Sequence, residues 1–444
     1  MIYIVVIYFA LLLTVGYSSK PGLNSRDFVF SGRKLTAVPL AMTLVTTWYG
    51  AISSVGQEVS YNGITTWLYF GATYYVAAFI YSEFISSKVI DLEISSIPMA
   101  IYKYMGRMSA LLSVPIVLLY ISPAPYLIIL GNIINTSLLS PLGIDAYGAS
   151  VAAGSSVAML YCLKGGFSSI VRTDRIQFIL MFVGFITMVL YLVFYFDPGL
   201  SKLLQLKVAR PDLFNFPGSA GWSYVVAWGF LAMITFLDPS FHQRTFASKN
   251  KNEIKKAIRL SICGWFVFDM MTIFCGLYAV SLGVDMTSPY VSLSAFLFSS
   301  NSILHGIFIV AILSVVMSTI DSFTFLSAMV IGKDLPAILN KSYSTGTIRK
   351  GILSTIVISL LIVGFFDNSR VVEIWFAFGS YMVASLLVPF VLIILRKKVN
   401  HPYLLIAVPS AVTLIWTLLE IQVFLPMYAG LFFSLILSLL LLED

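Results

Sequence analysis

Long apolar runs separated by short polar gaps dominate the chain. Each run is about 20 residues long, which is the length an α-helix needs to cross the hydrocarbon core of a bilayer. A span in lipid must satisfy its own backbone hydrogen bonds, so spans are helices or a closed barrel, and a barrel would show alternating segments of roughly ten residues. The pattern therefore predicts an all-α integral membrane protein with about thirteen transmembrane helices. The predicted limits are 1–17, 37–60, 63–88, 108–138, 144–163, 168–196, 221–243, 256–283, 303–332, 350–366, 370–395, 402–420 and 423–441.

The composition fits membrane spans and excludes a water-soluble protein. Charged residues make up 11% of the chain and hydrophobic residues 59%, whereas a soluble domain carries about 25% charged residues. The polar gaps are too short to form a separate soluble domain. Residues 1–444 are therefore predicted to form a single transmembrane domain.

The basic residues predict the orientation of the chain in the membrane. If the N-terminus lies outside, 23 of the 27 Lys and Arg residues fall on the inner side, the largest group being at 244–259. Only Lys202, Lys207, Arg210 and Arg370 fall outside. Cytoplasmic loops carry such an excess, so we expect a multi-pass protein of the cell (inner or plasma) membrane with its N-terminus outside and its C-terminus in the cytoplasm. The net charge of +7 then needs no nucleic-acid partner.

Other features of the sequence weaken alternative classes. The first segment has no positive n-region and no small-residue cleavage site, so we expect a retained span rather than a signal peptide. The three cysteines lie inside apolar runs and form no cluster with the three histidines, so neither a disulfide framework nor a metal centre is expected. Embedded Ser and Asp residues have no embedded His beside them, and we expect no enzyme activity.

Two spans contain residues that interrupt a helix. The second span is rich in small and hydroxyl residues from Thr46 to Glu58, and the seventh contains Pro239, which lacks a backbone donor. These spans lie five apart, an odd number, so a repeat of 37–196 by 221–395 would have inverted topology. Inverted-repeat transporters place their binding sites at such broken helices, although Gly and Pro also kink helices for packing alone.

The ninth span carries four oxygen-bearing side chains within five residues: Ser318, Thr319, Asp321 and Ser322. On a helix, Ser318 and Ser322 share a face, and Val315 lies one turn earlier. Sodium is a hard cation that prefers oxygen ligands, so hydroxyls here and free carbonyls of a broken neighbour would suit it. The alternative is that the hydroxyls bond to carbonyls of their own helix.

Carboxylates within spans need a partner or a function, because each costs about 2.5–3.5 kcal/mol to insert. Asp321 is one of these. Asp174 is a second, for which a salt bridge to Arg172 or Arg175 at the membrane surface is the alternative. For two further embedded acids, Asp269 and Glu83, packing and function remain open.

Three segments together resemble the sodium:solute symporter family over essentially the whole chain. Residues 165–177 are similar to its "GG…TDxxQ" signature, residues 238–244 to its "QR" segment, and residues 317–322 to its "MSTxDS" run. The resemblance implies a LeuT-type core of two inverted five-helix repeats, with one extra N-terminal helix at 1–17 and two extra C-terminal helices at 402–441.

The resemblance also implies two ion sites. The principal sodium site would take carbonyls of the second span and groups of the ninth: Thr46, Thr47, Tyr49, Val315, Ser318 and Thr319. A second sodium would lie beside Ser318 and be held by Asp174, Asp321 and Ser322. The sequence departs from the family at 56–58, where Gly-Gln-Glu stands in place of the usual Gly-Pro.

The function implied by the resemblance is sodium-coupled secondary active symport of a small organic solute by alternating access. Na⁺ would be the coupling ion, the partners would be the solute and the lipid bilayer, and a monomer is expected. Candidate solute contacts are Gln57, Glu58, Tyr74, Phe236, Asp238 and Trp375. The alternatives are a non-transporting membrane sensor or receptor, for which the sequence after the last span leaves no room for an output domain, and a channel-like protein, for which no repeated pore motif is visible.

Overall fold

A computed structural model describes residues 1–19, 25–364, 371–420 and 425–443. These residues form helices and two isolated bridge pairs, Leu35 with Ser248 and Val399 with Leu442. Two basic residues used for the orientation, Lys20 and Arg370, lie outside the described residues.

Ten helical segments precede the seventh predicted span. They are α1 (Ile2–Tyr17), α2 (Ser25–Phe30), α3 (Ala37–Trp48), α4 (Ile52–Asn62), α5 (65–91), α6 (Ile97–Tyr120), α7 (Ala124–Ile134), α8 (Tyr147–Gly165), α9 (Phe167–Phe196) and α10 (Ser201–Ala209). Helix α5 contains two π-helical stretches, Leu68–Ala72 and Tyr81–Ile85. A further π-helical stretch, Asn135–Leu139, extends α7.

Nine more helices complete the described chain. They are α11 (Gly221–Leu231), α12 (Pro239–Ala247), α13 (Lys251–Ser281), α14 (Pro289–Leu297), α15 (Ser302–Ile338), α16 (Thr345–Val363), α17 (Val371–Ile394), α18 (Leu404–Leu418) and α19 (Pro426–Leu441).

The helical membrane architecture agrees with the sequence pattern, but the number of spans stays a prediction. By length and composition, seven helical stretches of the described ranges can cross a membrane, or eight if the bent pair α3 and α4 is one span. Helices α1, α18 and α19 are apolar but shorter, at 16, 15 and 16 residues. Helix α8 is rich in Gly, Ala and Ser, which lowers its hydropathy.

Both interrupted spans are broken in the structure. Helices α3 and α4 are bent by 61° at the three residues between them. In the seventh span, the 3₁₀ turn Ala232–Phe236 follows α11, and α12 begins at Pro239. Asp238 caps α12 by accepting a hydrogen bond from the Ser240 amide, and Pro239 occupies a first-turn position whose amide needs no partner. The division into repeats 37–196 and 221–395 stays a prediction.

Helix α15 lies at the centre of the bundle. Every residue from 308 to 329 is buried, so its hydroxyl groups face other helices and not lipid. Helix α9 packs closely on α15 because Gly184 lies against Ala311, where a side chain at 184 would overlap the alanine. Helix α13 runs beside α3, where Gly264 faces Val45. These contacts bring α3, α9 and α15 together around the predicted ion ligands.

Candidate ion and solute sites

Oxygen atoms of the broken helix α3 and of α15 meet at Thr319. The Thr319 hydroxyl donates to the Thr47 carbonyl at 2.9 Å and lies 3.4 Å from the Val315 carbonyl of its own helix. Thr319 and Val315 are at most 1% exposed, and Thr47 is 6% exposed. Two carbonyls and one hydroxyl thus lie close together in a buried position, and oxygen atoms of this kind are the ligands that a hard cation prefers.

Ser318 lies beside this group and faces α9. Its hydroxyl donates to Asp174 Oδ1 at 2.7 Å and lies 3.5 Å from the Thr47 hydroxyl. Ser318 does not bond to a carbonyl of its own helix, which was the alternative considered from the sequence. Ser318 therefore joins the meeting point of α3 and α15 to the carboxylate on α9.

The side chains of the other two predicted ligands on α3 point elsewhere. The Thr46 hydroxyl donates to the Met42 carbonyl at 3.0 Å, within its own helix. The Tyr49 hydroxyl donates to Asp269 at 2.7 Å and to the Trp265 carbonyl at 2.9 Å. Only the backbone carbonyls of Thr46 and Tyr49 are left for an ion, which is the role predicted for them.

Arg244 places a positive charge among the residues that were predicted to bind a second sodium ion. Arg244 is fully buried, and its Nη2 donates to the hydroxyls of Thr43 and Thr47, each at 2.8 Å, and of Ser322 at 3.1 Å. The same nitrogen lies 4.0 Å from Asp174, which also accepts a bond from the Thr43 hydroxyl. The charge partner of Asp174 is therefore Arg244.

The neighbouring basic residues do not pair with Asp174. Arg172 instead donates to the Ser18 carbonyl at 3.2 Å. Asp321 does not join the Asp174 group by a hydrogen bond: its Oδ2 accepts from the Tyr161 hydroxyl at 2.5 Å, and its Oδ1 is buried without a partner. The two carboxylates predicted for the second site thus have different partners: Asp174 lies beside Arg244, and Asp321 is bonded to Tyr161.

A cavity opens where the two broken helices meet. It encloses about 930 Å³ of space free of protein atoms, part of it open to solvent. Of the six residues predicted to contact a solute, Tyr74, Asp238 and Trp375 line it.

The other three predicted contacts lie away from the cavity wall. The Gln57 amide donates to the Thr287 carbonyl at 2.8 Å. Glu58 accepts bonds from Tyr69 at 2.7 Å and Asn62 at 3.1 Å. Phe236 precedes the break and is not among the lining residues. A helical face cannot be assigned from sequence on both sides of a 61° bend, which explains why residues of α4 were predicted to face the cavity.

The residues of these sites that were not predicted as site residues include Thr43, Trp48, Arg244 and Asp269. Arg244 had been counted with the inner loop, because it directly precedes a basic cluster. Asp269 carried a usable signal, since an acid inside a span is a functional candidate. Thr43 and Trp48 carried none, since hydroxyl and aromatic residues are frequent in this chain.

Two broken helices, a buried group of oxygen ligands and a cavity at the breaks define the architecture of an inverted-repeat secondary transporter. The chain belongs to the sodium:solute symporter family, whose model matches residues 28–408.

Relatives with known activities are distant in sequence. The chain is 25% identical over 338 residues to the sodium-coupled monocarboxylate transporter 1 of Mus musculus, covering 70% of this chain and 54% of the relative. It is 25% identical over 450 residues to the osmoregulated proline transporter OpuE of Bacillus subtilis, covering 92% of this chain and 87% of the relative. The chain thus spans about half the length of the monocarboxylate transporter.

Solved structures show the same fold. A Na⁺-coupled sialic acid symporter, solved substrate-bound in an outward-open state, matches with a TM-score of 0.82 at 16% identity and covers 100% of this chain and 98% of its own. The nucleobase-cation-symport-1 family transporter Mhp1 in a closed conformation gives 0.63 at 16% identity, covering 94% and 96%. The predicted LeuT-type fold class is confirmed.

The contact between the break in α3 and Thr319 generates a prediction. A Cβ added at Gly50 would lie 2.5 Å from the Thr319 hydroxyl, so Gly50→Ala must push that hydroxyl away from the Thr47 carbonyl. We expect the sodium concentration for half-maximal thermal stabilisation of the purified protein to rise about tenfold, equivalent to about 1.4 kcal/mol. Gly148→Ala is the control, since nothing lies within 4 Å of a Cβ there. An unaltered sodium titration of the Gly50 variant would contradict the site.

Proposed function

We propose that the protein is a sodium-coupled symporter that carries a small organic solute by alternating access and catalyses no chemical reaction. The observation that supports this most directly is the Thr319 hydroxyl, which joins a carbonyl of the broken helix α3 to α15. An ion bound between these helices would hold them together while the solute occupies the adjoining cavity. The family and the fold of the related transporters agree with this function.

The inward sodium gradient would supply the work. One elementary charge crossing a potential of about 100 mV is worth about 2.3 kcal/mol. Coupling requires that ion and solute stabilise the same conformation, because a ligand shifts an equilibrium only by its differential affinity for the two states. The proposed ion ligands lie on elements that also form the cavity wall, so occupancy of either site alters the other.

Removing the two α15 hydroxyls tests the principal site. Ser318→Ala combined with Thr319→Val deletes both hydroxyls and keeps the shape of the helix. We expect loss of radiolabelled sodium binding, and loss of sodium-dependent thermal stabilisation by every solute in a screen of sugars, amino acids, carboxylates, amines and vitamins. Binding linkage makes that stabilisation a measure of affinity.

A matched control lies on the same helix. Thr324 is fully buried and its hydroxyl has no partner, so Thr324→Val removes a similar group away from the ion. This variant should bind sodium as the parent does. Equal sodium binding by the double variant and the Thr324 variant would refute the assignment.

We propose that one sodium ion is coupled per cycle. The Arg244 guanidinium already places one positive charge 4.0 Å from Asp174. The guanidinium already holds the hydroxyls of Thr47 and Ser322, which the predicted second site would need. Arg244 therefore serves as a tethered cation in place of a second ion.

Arg244→Gln tests this role by raising the negative charge of the group. We expect the Hill coefficient for sodium to rise from about 1 towards 2, its limit for two sites, in a titration of thermal stability. Arg259→Gln is the control, because Arg259 is half-exposed and pairs with Glu83 at 2.8 Å near the membrane surface. A Hill coefficient that stays at about 1 in the Arg244 variant rules out the tethered-cation role.

We propose an orientation with the N-terminus outside and the C-terminus in the cytoplasm of the cell membrane. Helix α13 has 31 residues and is about 46 Å long. Its first residue, Lys251, pairs with Asp91 at 2.5 Å, whereas Tyr278 near its other end bonds to Asp197, just before α10. The basic cluster and α10 thus lie at opposite ends of one helix, as the charge count requires.

Labelling by an impermeant maleimide on intact cells tests the orientation. Lys207 and Lys341 are both exposed, and Cys263→Ala removes the exposed native cysteine. In that background, Lys207→Cys should react in intact cells, and Lys341→Cys only after permeabilisation. The reverse pattern would invert the proposed topology.

A further inference from the structure

Two carboxylates line the central cavity without a salt-bridge partner within 4.0 Å among the described residues. Asp238 and Asp269 are 4% and 6% exposed and both form part of the wall. Asp238 accepts bonds from the Ser240 amide at 2.6 Å and the Tyr120 hydroxyl at 3.0 Å. Within the described chain, no Lys, Arg or His nitrogen lies within 4.0 Å of either carboxylate. The wall itself contains no basic residue.

Asp269 is held only by neutral donors. One of its oxygens accepts a bond from the Tyr49 hydroxyl at 2.7 Å and the other from the Tyr75 hydroxyl. An ionised carboxylate offers about four lone-pair positions, so these bonds leave acceptor capacity unused. Burying a charge without an opposite charge is expensive, and a cationic ligand in the cavity would offset that cost.

Aromatic rings form most of the remaining wall. Six of them form two clusters with centroid separations of 4.8 to 6.3 Å, one of Trp48, Tyr74 and Trp375 and the other of Tyr120, Tyr126 and Phe323. Ring faces attract ammonium groups, most strongly where water is excluded, and they favour substituted ammonium groups such as choline. The carboxylates and the aromatic ring faces of this wall therefore both favour a positively charged ligand.

A further group in the wall has no partner within the protein. The Tyr74 hydroxyl is buried, with the residue 1% exposed, and it makes no hydrogen bond. Buried hydroxyls in native proteins are nearly always bonded. Because Tyr74 lines the cavity, a solute that reaches this buried hydroxyl would supply the missing partner.

We infer that the solute is a small organic cation with a substituted ammonium group. This inference rests on the proposed symport function and narrows its substrate. A monocarboxylate would place its charge in a wall that contains two acids, aromatic ring faces and no basic residue, so its one positive neighbour would be the sodium ion proposed beside Thr47. The carboxylate of a zwitterion would face the same wall, so a cation without a carboxylate fits best.

Fluorescence of the cavity tryptophans measures binding directly, because Trp48 and Trp375 lie in the wall. Purified protein in saturating sodium is titrated with choline, tetramethylammonium, the neutral carbon analogue of choline, lactate and L-proline. We expect saturable changes with the two cations and none with the neutral analogue or lactate. Saturable binding of lactate or L-proline, with none of either cation, overturns the inference.

Variants of the wall locate the cation. Asp269→Asn keeps the shape of the side chain and should weaken binding of both cations by at least about tenfold, as expected for loss of one charge from a desolvated pair. Asp197→Asn is the control, because Asp197 is a buried acid that also accepts a tyrosine bond, from Tyr278 at 3.1 Å, outside the cavity. Unaltered cation binding by the Asp269 variant contradicts the assignment.

A milder variant tests the cavity with less risk that the protein misfolds. Tyr74→Phe removes only a hydroxyl that has no partner, so the fold should be preserved. The variant should weaken the binding of choline, which carries a hydroxyl, more than the binding of tetramethylammonium, which carries none. Equal effects on the two cations would remove Tyr74 from the proposed contact.

The readouts separate this inference from the proposed function. If lactate or L-proline stabilised the protein in a sodium-dependent way and Asp269→Asn did not alter this, the proposed symport function would be supported. The inference that the solute is a cation would be refuted. Cation binding that is independent of sodium, in protein that binds no radiolabelled sodium, would support the cavity assignment and refute symport.

Discussion

The architecture depends on a break in α3 that exposes a backbone carbonyl to a hydroxyl of α15. A continuous helix would use the Thr47 carbonyl in its own ladder four residues on. The 61° bend after Trp48 releases it, and the Thr319 hydroxyl takes it up at 2.9 Å. Hydrocarbon tolerates such free backbone only where protein or an ion satisfies it. The hydroxyls of α15 and the break in α3 therefore require each other, and Gly50 allows the close approach because it has no side chain.

Charge is the second constraint, and the protein meets it with an internal cation. Asp174 would be costly alone in the bundle. Arg244 approaches it from α12 and binds hydroxyls on α3 and α15 at the same time. One guanidinium thus ties α12, α3, α9 and α15 together beside the ion ligands. Asp238 and Asp269 have no such partner, which distinguishes the solute cavity electrostatically from the region around Asp174.

The sequence predicted features whose cause is local and left open those that depend on tertiary contacts. The break at Pro239 was visible because proline cannot donate a backbone hydrogen bond. The oxygen-bearing run in α15 was visible because four such side chains fall within five residues of an apolar helix. Arg244 was misplaced, since only the packing of α12 against α3 shows that it points inward. Gln57 and Glu58 are not among the lining residues of the cavity, and the 61° bend prevents the face of α4 from being assigned by continuing that of α3.

The two proposed sites share one short segment of chain. Thr47 contributes its carbonyl to the ion ligands and also lines the cavity, and the next two residues, Trp48 and Tyr49, lie in the cavity wall. The Tyr49 hydroxyl in turn holds Asp269 at 2.7 Å. An ion that fixes the Thr47 carbonyl therefore fixes the end of α3, one ring cluster and one of the two cavity acids. Since coupling free energy is reciprocal, a solute held by that wall must strengthen ion binding to the same extent, and no longer pathway through the protein is needed.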